Sequence, residues 1–204
     1  MHAAGRDPIP GTTVYLASAS PRRQELLRQI GIGFEVWPSN LDETPGSGET
    51  ARDYVQRVAA DKARHVAGQI GERGLPWRPV LGADTEVVVD DEILGKPRDP
   101  AHAAQMLARL AGRTHTVLSA LCLITSAGEH RALSVNHVTF APLSAPDIER
   151  YVACGEALGK AGGYAIQGRA AGFIARLEGS YSGVMGLPLF ELCETLRHAG
   201  IEWP

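Results

Sequence analysis

The 204-residue sequence contains few cysteines, few aromatic residues and no long apolar run. Its three cysteines, Cys122, Cys154 and Cys193, are odd in number and far apart, which predicts neither a disulfide framework nor a zinc site. We interpret them as reduced thiols in a cytoplasmic protein. No apolar segment approaches the ~20 residues that a membrane span requires. The start, "MHAAGRDPIPGTT", lacks the apolar segment of a signal peptide, so we expect neither a membrane anchor nor a secretory leader.

The sequence also has no marked excess of charge of either sign, because 20 Lys and Arg side chains stand against 23 Asp and Glu. General binding to DNA or RNA is therefore not expected. Two familiar motifs are missing, the G-x-x-x-x-G-K-S/T phosphate loop and the H-E-x-x-H zinc motif. The segment "GSYSG" at 179–183 resembles a nucleophile elbow, but its central residue is Tyr181 instead of serine. The histidines lack ligand spacing, and we interpret His115 and His137 as packing or hydrogen-bonding residues.

Strand-like and helical segments alternate along the chain and predict an α/β fold, a mixed twisted sheet flanked by helices. Strands are predicted at 13–18, 33–38, 80–90, 114–125 and 130–141, and helices at 20–31, 49–70, 99–110, 144–155 and 187–200. The two long strands joined by "SAGE" predict an antiparallel hairpin. The glycine-rich stretch 159–186 is expected to hold two short strands. We expect residues 1–12 to form a flexible extension and residues 13–204 to form one domain, with a cleft between two shallow lobes.

Two arginines, Arg22 and Arg23, occupy the first turn of a predicted helix, directly after Ser18 and Ser20. The amino end of a helix is its positive pole, which disfavours cations. An anion in front of the helix would explain the pair, because free backbone N–H groups, serine hydroxyls and guanidinium groups all bind phosphate oxygens. The alternative is a pair of solvated arginines on a surface helix.

Two further charged residues lie in apolar surroundings. Lys62 falls within an apolar stripe of the helix predicted at 49–70, so its side chain must either extend to water or point into a cleft. On this evidence alone, extension to water is favoured. In "VLGADTEVVV", strand alternation places Asp84 and Glu86 on one face and Thr85 on the other. A carboxylate among β-branched residues destabilises the fold unless it is paired or binds a metal ion, and the less favoured alternative is a strand-edge aspartate in water.

Charged loop residues could complete a site around Asp84. The predicted turn at Asp90–Asp91 would bring Lys96 of "LGKPRD" back towards Asp84, and Asp42 or Glu43 could add a carboxylate. Solvated loop charges are the alternative. Several cations, at least one carboxylate and no obvious nucleophile suit a polyanionic substrate, a divalent metal ion and an attacking water. A nucleoside triphosphate fits that description, and the residues alone leave a phosphosugar open as well.

From about Val14 to near its end, the sequence resembles the Maf family of nucleoside triphosphate pyrophosphatases. The resemblance rests on motifs that follow the family's order: "LASASPRRQELL", "DKAR", "GADT", "LGKPRD", "GRTHTV", "YAIQG" and "GSYSGVMGLPL". It implies a fold related to inosine triphosphate pyrophosphatases, a homodimer and a divalent cation, Mg²⁺ or Mn²⁺. It also implies cleavage of a nucleoside triphosphate to the monophosphate and diphosphate, in the service of nucleotide-pool house-cleaning.

Two of these motifs, "YAIQG" and "GSYSGVMGLPL", resemble the branch of the family that acts on dTTP and UTP. The alternative within the family is the sister branch, which prefers 7-methyl-GTP. By the family pattern Asp84 is the proton acceptor, and Arg22, Thr85 and Gln167 bear on substrate choice. Modified pyrimidine nucleotides stay open as substrates.

The expected site combines these implied positions with the cations described above. Its substrate-binding side chains are Ser18, Ser20, Arg22, Arg23, Lys62, Thr85, Lys96 and Gln167. Asp84 and Glu43 are expected to hold the metal ion, and the division of Asp84 between general base and metal ligand stays open. Maf proteins have also been linked with septum formation, so a nucleotide-binding regulator of cell division is an alternative from another class. Such a regulator would not need a water-activating carboxylate, and the presence of Asp84 therefore favours an enzyme.

Overall fold

A computed structural model describes residues 13–202, which form a seven-stranded sheet covered by helices. The strands are β1 Thr13–Leu16, β2 Gly33–Val36, β3 Val80–Val89, β4 Glu92–Ile93, β5 Thr114–Thr125, β6 Gly128–Phe140 and β7 Ile174–Glu178. The helices are α1 Pro21–Gln29, α2 Ala51–Glu72, α3 Pro100–Leu110, α4 Ala145–Ala153, α5 Tyr181–Met185 and α6 Leu189–His198. The expected extension at 1–12 lies outside the described residues, and the single domain 13–204 stays a prediction.

The sheet changes direction at β3, as a mixed sheet requires. Its strand order is β2-β1-β3-β5-β6-β7, and the short β4 pairs with β3 outside this path. Strand β1 runs parallel to both β2 and β3, whereas the pairs β3/β5, β5/β6 and β6/β7 are antiparallel. The long hairpin of β5 and β6 closes between Thr125 and Gly128. The predicted mixed α/β sheet and its antiparallel hairpin are therefore confirmed.

Strands β1 and β3 stay paired over a very short length, and a cleft opens where they part. The pairing joins Tyr15 to Val80 and Leu16 to Leu81, after which β1 ends and the chain enters the turn that leads to α1. Strand β3 continues to Val89, and β4 pairs only with its last two residues. The edge of β3 between these pairings therefore faces the cleft, at the carboxyl end of β1, where open α/β sheets commonly bind ligands.

Helices α3 and α4 begin at residues whose side chains cap them, whereas α1 does not. Asp99 accepts a hydrogen bond from the His102 backbone N–H, and Ser144 forms a capping box with Asp147. Ser20 is the N-cap residue of α1, but its side chain forms no capping hydrogen bond. Instead, the Ser20 backbone N–H donates to Ser18 Oγ, which holds the turn before the helix.

The glycine-rich stretch 159–186 contains only one strand, β7, so the expectation of two short strands is wrong. Two 3₁₀ turns, Ala161–Gly163 and Arg169–Phe173, and the short helix α5 occupy the remainder. Gly162 and Gly163 both have positive φ, a conformation that turns the chain and that side chains other than glycine rarely adopt. Continuous strand pairing is therefore interrupted where the sequence pattern had suggested it.

His115 and the cysteines behave as the sequence predicts. His115 Nε2 is 2.8 Å from the Tyr164 hydroxyl, and its ring packs edge-on against Phe140. Burial lowers the pKa of His115 to about 4, which keeps the ring neutral in the core. All three cysteines are free thiols. Across residues 13–202, no helix has the length and apolar character needed to cross a membrane.

Helix α2 lies directly on β3, and a glycine makes this approach possible. A Cβ atom added at Gly82 would come within 2.2 Å of the Ala59 carbonyl oxygen and 2.8 Å of the Ala63 nitrogen. The buried face of α2 packs here through Val55, Val58, Ala59, Ala63, Val66 and Ile70. The short distance between helix and strand brings the side chains of Lys62 and Asp84 together.

We predict that Gly82→Ala destabilises the fold by about 1–3 kcal/mol or more, because the added methyl group must push α2 away from β3. The free energy of unfolding, from urea titrations followed by circular dichroism, measures this loss. Gly68→Ala is the matched control, since a Cβ atom at this helical position meets no atom within 4 Å. It should leave stability unchanged or raise it by up to ~1 kcal/mol. Equal stability of Gly82→Ala and the wild type would contradict the close contact.

Candidate active site

The cleft between β1 and β3 forms a cavity of about 460 Å³, within the range typical of small-molecule sites. Every residue predicted for the site lines it: Ser18, Ser20, Arg22, Arg23, Glu43, Lys62, Asp84, Thr85, Lys96 and Gln167. Asp42 does not line it, since this exposed carboxylate accepts hydrogen bonds from the Thr44 N–H and hydroxyl groups. Sequence analysis therefore located the residues of one cavity, although the role of each is a separate question.

Lys62 forms two ion pairs at the floor of the cavity. Its ammonium nitrogen lies 2.8 Å from Asp84 Oδ1 and 2.9 Å from Glu43 Oε1. Lys62 is only 7% exposed and Asp84 only 4% exposed. The interpretation that Lys62 extends to water is therefore wrong, and so is a solvated Asp84 at a strand edge. Because α2 lies so close to β3, the lysine reaches a buried carboxylate that compensates its charge.

Two carboxylate oxygens on this floor have no hydrogen-bond partner among the described residues. They are Asp84 Oδ2 and Glu86 Oε2, and both are buried. Burial and the negative charge of Asp84 raise the pKa of Glu86 to about 8, although the ammonium groups of Lys62 and Lys96 oppose the shift. Glu86 was not among the predicted site residues. Strand alternation, which places it on the same face as Asp84, was the signal that could have identified it.

The two arginines are held by the backbone carbonyl groups at the end of α5. Arg22 Nε donates to the Met185 oxygen at 2.9 Å, and Arg23 Nε donates to the Gly186 oxygen at 2.8 Å. Arg23 also donates to Ser18 Oγ at 2.9 Å. Within residues 13–202, the terminal nitrogens of Arg22 have no hydrogen-bond partner, so they are available to an anion. Arg23 is buried and Arg22 half-buried, which excludes the alternative of two solvated surface arginines.

These carbonyl groups explain why cations are tolerated at the amino end of α1. The last carbonyl groups of a helix carry partial negative charge, and those of α5 face the two guanidinium groups. Burial lowers the pKa of both arginines, and for Arg22 the charge of Arg23 lowers it further. For Arg23, the carboxylates of Asp84, Glu43 and Glu86 act in the opposite direction.

Asn136 fixes the segment that carries these carbonyl groups, a role that sequence analysis missed. Its side-chain oxygen accepts from the Ser180 N–H at 2.6 Å, and its amide nitrogen donates to the Val117 oxygen at 3.1 Å. Ser180 Oγ then accepts from the Gly183 N–H at 3.0 Å and caps α5. The segment "GSYSGVMG", whose first five residues were rejected as a nucleophile elbow, therefore orients the arginines. A long-range contact of this kind leaves no periodic signal in the sequence.

Thr85 and Gln167 lie on other parts of the cavity wall. Thr85 Oγ1 is 2.9 Å from Ser119 Oγ and 3.3 Å from the Gly186 oxygen, on the face of β3 opposite Asp84. Both faces reach the cavity because the edge of β3 is free there. Gln167 is exposed, and its side chain makes no hydrogen bond to the described residues. The sequence did not identify Lys160, which also lines the cavity and whose pKa is lowered by burial and by Arg22.

The carboxylates of the floor can contribute to a cation site but do not complete one. Among residues 13–202, no three Asp, Glu, His or Cys side chains form a group that could hold a metal ion. The unpaired oxygens of Asp84 and Glu86 are the hard donors that Mg²⁺ and Mn²⁺ prefer. Since Mg²⁺ commonly binds one or two carboxylates together with substrate phosphates and water, the residues present fit such an ion in a complex with substrate.

Comparison with known proteins assigns the chain to a family. The family model described as "Maf-like protein" matches residues 13–199. Three similar curated proteins are each named dTTP/UTP pyrophosphatase. The protein of Cupriavidus metallidurans is 54% identical over 93% of this chain and 98% of its own. That of Ralstonia nicotianae is 53% identical over 94% of this chain and 96% of its own. That of Burkholderia pseudomallei is 51% identical over 98% of this chain and 98% of its own. The chain, whose motifs already resembled this family, belongs to the Maf family.

Proposed function

We propose that the protein hydrolyses nucleoside triphosphates, dTTP and UTP above others, to the monophosphate and diphosphate. One observation carries the proposal: a single cavity contains Arg22, whose terminal nitrogens are free, and the buried Asp84, which has a carboxylate oxygen without a partner. The names of relatives that are about half identical support the same reaction and the same substrates. The homodimer, the cytoplasmic location and a role in nucleotide-pool house-cleaning stay predictions.

The triphosphate would bind along the wall formed by the start of α1. The first turn of a helix leaves backbone N–H groups without partners inside the helix, and these bind phosphate well. Arg22 presents its terminal nitrogens to the same space, and Lys96 and Lys160 line it from other segments. In residues 13–202 none of these three side chains forms an ion pair with a carboxylate, which leaves their positive charge for the substrate.

We assign to Asp84 the role of accepting a proton from the attacking water. Asp84 lines the cavity, Lys62 engages its Oδ1, and its Oδ2 has no partner among the described residues. A water hydrogen-bonded to Oδ2 would transfer its proton there while its oxygen attacks the α-phosphorus in line. The bond from the α-phosphorus to the bridging oxygen then breaks, and diphosphate leaves with its charge stabilised by arginine and lysine. A protein that only binds nucleotides would need the cations but not this free oxygen, so an enzyme is favoured over a regulator.

A divalent cation completes the proposed site. The sequence assigns Asp84 and Glu43 as its protein ligands, and Mg²⁺ or Mn²⁺ would neutralise and polarise the phosphate oxygens when bound. Two contacts between α2 and the loop that precedes it hold Glu43 near the cavity floor. Its backbone oxygen accepts from the Tyr54 hydroxyl at 2.6 Å, and Arg57 of α2 binds Glu49 farther along the loop through two short contacts.

We predict that Asp84→Asn lowers kcat by about 10²–10⁴-fold, because the change removes the general base at nearly constant shape. Released diphosphate measures turnover, and circular dichroism with thermal unfolding checks the fold. Asp42→Asn is the matched control, since this carboxylate lies outside the cavity, and it should retain wild-type turnover. Near-normal turnover of a folded Asp84→Asn variant would overturn the assignment.

Activity should depend on a divalent cation, because a triphosphate carries more negative charge than the basic side chains of the cleft can organise alone. Excess EDTA should abolish diphosphate release from UTP, and added Mg²⁺ or Mn²⁺ should restore it. Full activity in excess chelator would exclude the metal-assisted reaction. A check that EDTA leaves the unfolding temperature unchanged separates loss of activity from loss of structure.

We predict higher kcat/KM for UTP and dTTP than for CTP, ATP, GTP or 7-methyl-GTP, with Gln167 contributing to the choice. A glutamine amide offers one acceptor and two donors, which can match the N3–H and carbonyl edge that uracil and thymine share. A site built for one edge rejects others, because its polar groups are then unpaired. In Gln167→Ala, kcat/KM should fall by a larger factor for UTP and dTTP than for CTP. An equal fall in kcat/KM for all substrates would mean that Gln167 has a structural role only. A wild-type preference for 7-methyl-GTP would contradict the assignment to the branch that acts on dTTP and UTP.

A further inference from the structure

Glu86 is the carboxylate of the cavity that the proposed reaction leaves unused. It lies two residues after Asp84 on the same face of β3, is 8% exposed and lines the cavity. Its Oε2 atom has no hydrogen-bond partner among residues 13–202. Burying a carboxylate without a partner destabilises the folded protein considerably, and buried carboxylates in proteins are generally paired, hydrogen-bonded or bound to a metal ion.

The neighbouring cations do not satisfy Glu86. The Lys62 ammonium directs its short contacts to Asp84 and Glu43, and no ion pair within 4.0 Å joins a described basic residue to Glu86. Glu43 differs in both respects: its Oε1 is bound by Lys62 at 2.9 Å, and its side chain is 34% exposed. Of the two glutamates, Glu86 therefore has the free, buried oxygen atom that a cation would bind.

We propose that Glu86 supplies the protein carboxylate that anchors the divalent cation, a role that the sequence analysis gave to Glu43. The inference rests on the proposed function, since the remaining ligands would be substrate phosphate oxygens and water. It also separates two roles that the sequence left joined in Asp84. With the cation anchored at Glu86, Asp84 Oδ2 stays available to take the proton from water, and Lys62 keeps both Asp84 and Glu43 in place.

The test is direct measurement of Mn²⁺ binding by electron paramagnetic resonance. The protein is saturated with α,β-imido-dUTP, a substrate analogue that cannot be cleaved at the α-phosphorus, and bound Mn²⁺ is counted against free Mn²⁺. Glu86→Gln keeps the size and shape of the side chain but removes its charge and replaces one acceptor oxygen with an amide donor. We expect this variant to bind Mn²⁺ at least tenfold more weakly than the wild type, and Glu43→Gln to change the affinity less than threefold.

Glu191→Gln is the matched control, because Glu191 also has a buried oxygen without a partner but lies on α6, outside the cavity lining. It should bind Mn²⁺ as the wild type does. A second readout is the Mg²⁺ concentration for half-maximal diphosphate release, which should rise at least tenfold in Glu86→Gln alone.

The outcomes separate this inference from the proposed function. If the wild type releases diphosphate and Glu86→Gln binds Mn²⁺ normally, Glu86 is a buried neutral carboxyl group and the inference is wrong. A loss confined to Glu43→Gln would restore the ligand pair expected from sequence. If the wild type releases no diphosphate from any nucleoside triphosphate, the proposed function fails, whatever the Mn²⁺ affinities.

Discussion

The contact of the Lys62 ammonium group with Asp84 and Glu43 is the interaction on which the site depends. It joins helix α2, strand β3 and the loop before α2 at one buried point. Removing one partner of a buried ion pair typically destabilises a protein by about 3–5 kcal/mol, because the other charge is left uncompensated. The contact also makes Asp84 asymmetric, since one oxygen is occupied and the other is free. The same arrangement thus stabilises the fold and sets the free oxygen of the proposed proton acceptor, and Gly82 permits it by allowing α2 to lie against β3.

The carboxylates and the guanidinium groups lie on different parts of the cleft. Asp84 and Glu86 lie on β3, with the Lys62 ammonium group beside Asp84, and the guanidinium groups lie at the start of α1, held by carbonyl oxygens at the end of α5. A triphosphate needs both sides, because its phosphates bind cations while the attacking water needs a base. Asn136 joins β5 to the segment that leads to α5, whose last carbonyl groups hold the guanidinium groups. The position of the carbonyl groups that hold the two arginines therefore depends on a residue outside the cavity lining.

Sequence analysis predicted local features well and long-range contacts poorly. The 3.6-residue period of α2 and the alternation of β3 are local, and both were predicted correctly. Helical spacing alone favoured extension of Lys62 to water, and this was wrong because its partner Asp84 is 22 residues away in the chain, on another element. Asn136 was missed for the same reason. The prediction of two strands in 159–186 was wrong because glycines at positive φ interrupt strand pairing, although the neighbouring side chains are typical of strands.

The central claim, that water activated at Asp84 attacks the α-phosphorus, is tested most directly by the position of the oxygen that hydrolysis adds. UTP is hydrolysed by the wild-type protein in water enriched in ¹⁸O, and the products are analysed by mass spectrometry. We predict one ¹⁸O atom in UMP and none in diphosphate, because diphosphate is the leaving group. Label in diphosphate would place the attack on the β-phosphorus, and release of orthophosphate would indicate another bond altogether. Either result would contradict the proposed placement of the substrate over Asp84.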